Sequence, residues 1–227
     1  MLSDSDKLMN QEQANELAAT GAVLLAKTVT LLEHWATVIN SYVAGSTQAS
    51  FAEVTFTDGD DGLLVLRTRY PDWWPQWDEF RRDRLIEASE WLDPTDEPRI
   101  SVWLADAHGK VLSFGGCTQN VGEALRATTF GAGEGVAGTA FSERAVRNEV
   151  NPSQLALFKH VADVPYLYKS ILAIPICYGP LTLGVLCIDR MREDHFDPNI
   201  VRVMTALAML LGIALAAAEA RKVRDTS

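Results

Sequence analysis

The chain has 227 residues, 48% of them hydrophobic, which is enough for one sizeable core or for one domain with a long helical extension. Its net charge of -10 argues against nucleic acid and anionic membrane as partners, and its one basic cluster, Arg221, Lys222 and Arg224, is placed to close a helix C-terminus. Three cysteines without a C-x-x-C or a zinc-spaced Cys/His cluster, and an N-terminus too acidic and polar for a signal peptide, predict a reducing, cytoplasmic location with no metal.

In chain order, residues 5–44 are predicted as one long helix or a helical hairpin. Leu17, Leu24, Leu25, Val29, Leu32, Trp35, Ala36 and Ile39 follow a helical spacing. Lys27, Glu33 and His34 are expensive in lipid, so this apolar run is expected to face a core or a partner. "AGSTQAS" breaks the pattern. "FAEVTF" and "LLVLRTRY" then flank "TDGDDG" as a hairpin, whose Asp58, Asp60 and Asp61 lack the downstream ligands of a calcium loop. "YPDWWPQW" is an aromatic linker, read either as an exposed partner site or as tryptophans clamping the linker to the domain. "DEFRRDRLIEASEWLD" is predicted as a helix, with Phe80, Leu85, Ile86, Ser89, Trp91 and Leu92 as its apolar face.

From residue 99 the texture changes. "RISVWLADAHGKVLSFGG" reads as two strands around the turn "DAHG". "VAGTAFSERA" looks helical, "RNEVN" reads as a short strand, and "PSQLALFKHVA" as a short helix opened by proline. "KSILAIPICYGPLTLGVLCIDR" carries the strongest β signal, a hairpin around "YGP". Its runs are apolar on both faces, so the sheet should be covered on both sides. Pro175 inside one run conflicts with a central strand. "FDPNIVRVMTALAMLLGIALAAAEARK" is a long helix with Asp197 as cap and Pro198 as first residue; its apolar run 203–218, at 16 residues, falls short of a membrane span.

Gly133, Gly135 and Gly138 spell G-x-G-x-x-G, the spacing of a dinucleotide loop. That loop needs a buried strand before it, a parallel return after it, and an acid about 20 residues on. "RATTF" is short and polar, the next strands form a hairpin, and the residue 20 past Gly138 is Phe158, so the fingerprint fails in context. The glycines instead let a loop turn tightly into a helix, with Gly138 admitting close packing. No nucleophile with a base and an orienting group is visible, so no catalytic residue is assigned and the chain is expected not to be an enzyme. "REDHFD" around His195 reads as a solvated turn before a helix rather than a metal site.

"GEGVAGTAF", "YKSILAIPI" with "LGVLCIDR", and "FDPNIVRVMTALAMLLGIALAA", in that order, resemble the GAF domain family over residues 76–222. The resemblance implies an α+β fold, a GAF/PAS-like antiparallel sheet with helices on both faces, here with long N-terminal and C-terminal helices. Residues 1–70 lie outside the resemblance; with the residue reading above, the chain divides into a helical extension for dimerisation or partner docking (1–50), a β-hairpin and Trp-rich linker (51–75), the GAF domain (76–222) and a tail (223–227). The resemblance implies a small-molecule pocket between the sheet and the segment 130–170. Carried onto this chain, the wall residues are Phe114, Phe130, Phe141, Val150, Asn151, Phe158, Tyr166, Tyr168, Ser170 and Asp189. The same aromatics would equally serve as core filling.

Specific chemistries of that family narrow the ligand without naming it. Residues 141–170 hold no cysteine for a bilin, and no N-K-F-D-E motif is present. His160 is the one candidate for haem, and Cys117 the one for sulfoxide-reductase chemistry, though it has no partner cysteine in the loops. The last helix is apolar nearly all round, so with the N-terminal helix it is expected to form a helical bundle in a homodimer. A pocket ligand would bias that bundle, and the signal would pass to a partner protein carrying the output. A ligand-free scaffold is the alternative.

Overall fold

The computed structural model describes residues 23, 26–39, 74–93, 95, 98–106, 108–119, 121–156, 158 and 168–225, with side chains for all of these except 74–76 and 218–225. In chain order the elements are α1 (26–39), α2 (Trp74–Trp91), β1 (Arg99–Ala105), β2 (Val111–Cys117), α3 (Glu123–Arg126), β3 (Thr129–Gly131), α4 (Gly135–Glu143), β4 (Arg147–Val150), β5 (Ser170–Tyr178), β6 (Leu181–Arg190) and α5 (Pro198–Asp225). By internal contacts the chain divides into Met1–Val38 and Ile39–Ser227. The first unit is helical over 26–38, as its spacing predicts, and what is expected of residues 1–22, 24–25 and 40–73 lies outside the described residues.

The second unit is built on one six-stranded antiparallel sheet of order β3-β2-β1-β6-β5-β4. The "YGP" hairpin supplies its long β5 and β6, joined by Gly179 and Pro180. Asp106 builds the turn between β1 and β2: its carboxylate accepts from the Lys110 and Val111 amides at 2.7 and 3.0 Å. The register resolves the conflict at Pro175. β4 pairs with β5 only over Ser170–Ala173, so Pro175 has β6 on one side and no strand on the other. A residue without an N–H is tolerated there.

Strand alternation sends the two faces to different layers. Trp103, Ile171, Ala173, Val185 and Cys187 share one face with Val136, Ala137, Ala140 and Phe141 of α4. Ile100, Val102, Leu172, Ile174, Leu186 and Ile188 alternate with them and are buried on the other, where α2 and α5 pack. Met204, Leu207 and Leu211 of α5 are fully buried there, each worth about 1.5–3 kcal/mol of transfer free energy. Asp197 caps α5 through the Asn199 amide at 2.7 Å, and Pro198 is its first residue. The apolar window of α5 is longer than the run 203–218: Pro198–Ala217, 20 residues, is long and apolar enough to cross a membrane. More than half of it is buried within the protein, the mark of a core helix.

Three predictions need correction. The end of the aromatic linker is helical, because Pro75 fits the first turn of α2, so this helix starts before Asp78; Trp77 is completely buried, which agrees with the clamping reading and not with the exposed one. On α2, Ile86 faces outward at 43% exposure, while Arg81 and Arg84 take the buried stripe with Trp77, Phe80, Leu85, Ala88 and Leu92. Asp78 and Glu87, one turn away, pair with these arginines. Finally, "PSQLALFKHVA" opens as a three-residue 3-10 turn, Pro152–Gln154, and Leu155 is already extended at ψ 138°. The short α3 and β3, both on the polar stretch before the glycines, have no counterpart in the sequence reading.

Candidate ligand cavity

Gly133 and Gly135 turn the chain into α4 with φ of +81° and +66°. Gly138 then sits so close to the loop that a Cβ would lie 2.2 Å from the Gly131 carbonyl oxygen. The G-x-G-x-x-G spacing therefore serves close packing of α4 against the end of β3, with Thr139 Oγ1 donating to the Gly135 carbonyl at 2.7 Å. This packing hangs α4 over the sheet and leaves a cavity of about 50 Å3 between them.

Its walls are aromatic. Trp103 meets Phe130 edge to face at 4.7 Å, and Phe158 lies 6.4 Å from Tyr168. Its polar end is an ion pair. Arg99 on β1 faces Asp189 on β6 in register, and its Nε donates to Asp189 Oδ2 at 2.7 Å while Nη2 donates to the same oxygen. The Arg99 guanidinium also lies over the Tyr168 ring at 5.6 Å. Burial pushes the Asp189 carboxyl up, against the opposing pull of Arg99. Burial works against the charged form of Arg99, but the charge and hydrogen bond of Asp189 outweigh it, so the guanidinium is held up and stays charged. Ser101 and Cys187, the next pair on the same face, complete this end: Trp103 Nε1 donates to Ser101 Oγ at 3.2 Å.

Of the ten wall residues implied by the resemblance, Phe130, Phe158, Tyr168 and Asp189 line this cavity. Phe114 packs behind it on Trp103 at 5.4 Å, and Phe141 belongs to the core under α4. Val150 and Asn151 lie at the end of β4 and Ser170 at the start of β5, away from the cavity. Tyr166 and His160 lie outside the described residues. Ser170 and Asn151 instead hold the 191–197 loop. Ser170 Oγ donates to the Arg192 carbonyl at 2.6 Å, and Asn151 Nδ2 donates to Glu193 Oε1 at 2.7 Å. The Asn151 hydrogen bond, with Lys169 behind it, holds the Glu193 carboxyl below the usual range. Asn148 exchanges two hydrogen bonds with the Phe196 backbone, and His195 Nδ1–H donates to the Asn148 carbonyl at 2.9 Å.

Arg99, Ser101, Trp103 and Cys187 also line the cavity but are not among the ten wall residues. Their signal was the strand period: positions 99, 101 and 103 share a face, and so do 187 and 189. A second cleft, of about 420 Å3, opens beside Leu92, Pro98 and the 191–197 loop. Its acids are engaged locally: Asp93 with Thr95, Asp194 with Arg190 and Arg192, Asp197 as the cap of α5. Among the described residues no group of His, Cys, Asp and Glu has metal-binding geometry. All three cysteines are free. Burial pushes the Cys117 thiol up and the Cys187 thiol well up, the opposite of what a nucleophile needs.

The family model of the GAF domain matches residues 87–216. No curated protein matches. Among solved structures, the chain is similar to the GAF domain of a phosphoenolpyruvate-protein phosphotransferase (ptsP) from Coxiella burnetii, at 16% identity and a TM-score of 0.61, covering 88% of this chain and 98% of that one. The corresponding GAF domain from Acinetobacter gives 15% identity and a TM-score of 0.56, over 87% and 97% of the two chains. A free methionine-R-sulfoxide reductase from Neisseria meningitidis, solved with its substrate, gives 16% identity and a TM-score of 0.50, over 77% and 99%. At these identities the likeness is one of fold.

Proposed function

The chain belongs to the GAF domain family, a family of sensory and regulatory domains that are generally non-catalytic, and from that premise we propose that it is a small-molecule sensor. The ligand sits between the sheet and α4, and its occupancy passes through a helical homodimer interface to a partner protein. The observation that carries this reading is the Arg99–Asp189 pair, a buried carboxylate with a half-buried guanidinium at the end of an aromatic-walled cavity. A core built only to be filled gains nothing from an ion pair whose desolvation costs about as much as its attraction returns. A binding site uses such a pair for specificity.

Native mass spectrometry of the purified chain, before and after denaturation, tests it. A dimer that sheds a defined small mass is the expected result. A bare monomer, unchanged by cell metabolite extract, overturns it. The small volume of the cavity favours a second reading, a ligand-free scaffold, which that second outcome would support. A sulfoxide-reductase reading is disfavoured by the state of the thiols. Cys117→Ser is expected to leave any thiol-dependent turnover unchanged, and its loss in a coupled reductase assay would reinstate an enzyme.

A further inference from the structure

The charges at the polar end of the cavity are shared unevenly. Both donors that Arg99 sends to Asp189, Nε and Nη2, land on Oδ2. Among the described residues Oδ1 accepts no hydrogen bond and Nη1 donates none, although the Asp189 side chain is only 6% exposed. Both residues line the cavity. A carboxylate oxygen with an unused lone pair, on a side chain that is itself nearly buried, therefore sits beside a guanidinium with unused hydrogens, in a space whose other described walls are mostly rings and apolar groups.

Charge decides which group completes this arrangement. The pair is neutral as it stands. An ammonium or amidinium at Oδ1 would set a second cation beside Arg99. A carboxylate at Nη1 would set a second anion beside Asp189. In neither case does another charged group among the described residues line the cavity, whose remaining described polar members are a serine, a tyrosine and a buried thiol. Burying an uncompensated charge costs far more than burying a neutral polar group that finds its hydrogen bonds. A group with a carbonyl beside an N–H matches donor to acceptor and acceptor to donor and adds no charge. The volume of about 50 Å3 admits a head of a few heavy atoms.

We propose that the cavity takes the neutral amide or ureide head group of a small molecule, with its carbonyl on Arg99 Nη1 and its N–H on Asp189 Oδ1. This rests on the cavity being a ligand site, and it names the chemical class of the ligand. Acetate, acetamide and acetamidinium have one shape and three charges. Each is titrated into the full chain, with the indole N–H of Trp103 followed by two-dimensional NMR, since its partner Ser101 lines the same cavity. Acetamide is expected to shift that signal saturably and to bind at least tenfold tighter than either ion. In Asp189→Asn the site carries a net positive charge, so acetate is expected to overtake acetamide. Should that variant not fold, Phe158→Ala removes one wall and is expected to weaken acetamide several-fold. A ranking led by acetate or acetamidinium in the unsubstituted chain overturns the amide class while leaving a ligand site. No saturable response to any probe overturns the proposal, and the sensor reading falls with it only if native mass spectrometry also finds no retained molecule.

Discussion

Arg99 and Asp189 show how one residue's fate depends on its neighbour's charge. Arg99→Met would leave a carboxylate in a nearly dry site, and breaking a buried pair in this way costs about 3–5 kcal/mol. We expect urea denaturation to show a loss of that order at neutral pH. The loss should shrink as pH falls, because protonation removes the stranded charge. The double variant Arg99→Met/Asp189→Leu should recover most of it, and a double variant as unstable as the single would refute the pairing argument. Glu193 makes the opposite case on the surface. Its carboxyl is held low by Asn151 and Lys169, so the clasp it forms is intact above the ordinary glutamate range and is released as pH falls through the lowered value. Carbon-detected NMR titration should place Glu193 below a free glutamate, and Asn151→Ala should move it back up. A titration curve unmoved by that substitution would mean that the hydrogen bond contributes nothing.

At the scale of elements, the helices are held by close approaches that only glycine permits. A Cβ on Gly212 of α5 would lie 2.4 Å from the Cys177 carbonyl oxygen, at the β5 bulge between Ile176 and Cys177. Gly212→Ala gains up to about 1 kcal/mol in helix propensity. It also drives α5 off a backbone that has no rotamer to yield, and overpacking of this kind costs about 1–3 kcal/mol. The clash should win, and thermal unfolding should show a lower midpoint; a stabilised variant would mean that α5 has room to shift. Gly138 repeats the logic under α4, where the clash would be with the Gly131 carbonyl oxygen. In both places a sequence motif that resembles a nucleotide loop or a membrane span turns out to report how tightly a helix lies on its neighbour.

For the whole molecule, the proposed dimer and relay have a physical address on α5. Met209 is 60% exposed, with half-buried Leu210 and Ile213 beside it. A helix that buries one side against a sheet and keeps an apolar ridge on the other is suited to a partner helix. Met209→Glu is expected to leave the midpoint of unfolding nearly unchanged while weakening self-association, read by sedimentation equilibrium over a dilution series. Unchanged association would move the interface elsewhere. The 191–197 loop joins β6 to α5 and is tied to β4 through Asn148 and Asn151. Asp189 of the cavity stands at its entrance, so the proposed relay would have a short route to the start of α5.

How much of this was legible depends on whether a local pattern was enough. The β5–β6 hairpin, the two-sided burial of the sheet, the glycine turn into α4 and the Asp197–Pro198 start of α5 were each written in a few adjacent residues, because turn chemistry, capping and continuous apolar runs act over short range. The site was legible only in part. Phe130, Phe158, Tyr168 and Asp189 line the cavity, but Arg99 came into view only once the register set it opposite Asp189, 90 residues away. The inward turn of Arg81 and Arg84, and the outward turn of Ile86, likewise depended on where α2 came to rest. Local sequence determined the long elements and the family, though not the short α3 and β3. Tertiary structure decided which polar residues share a buried space, because strand register and helix rotation are chosen by the packing of the whole sheet rather than by any one segment.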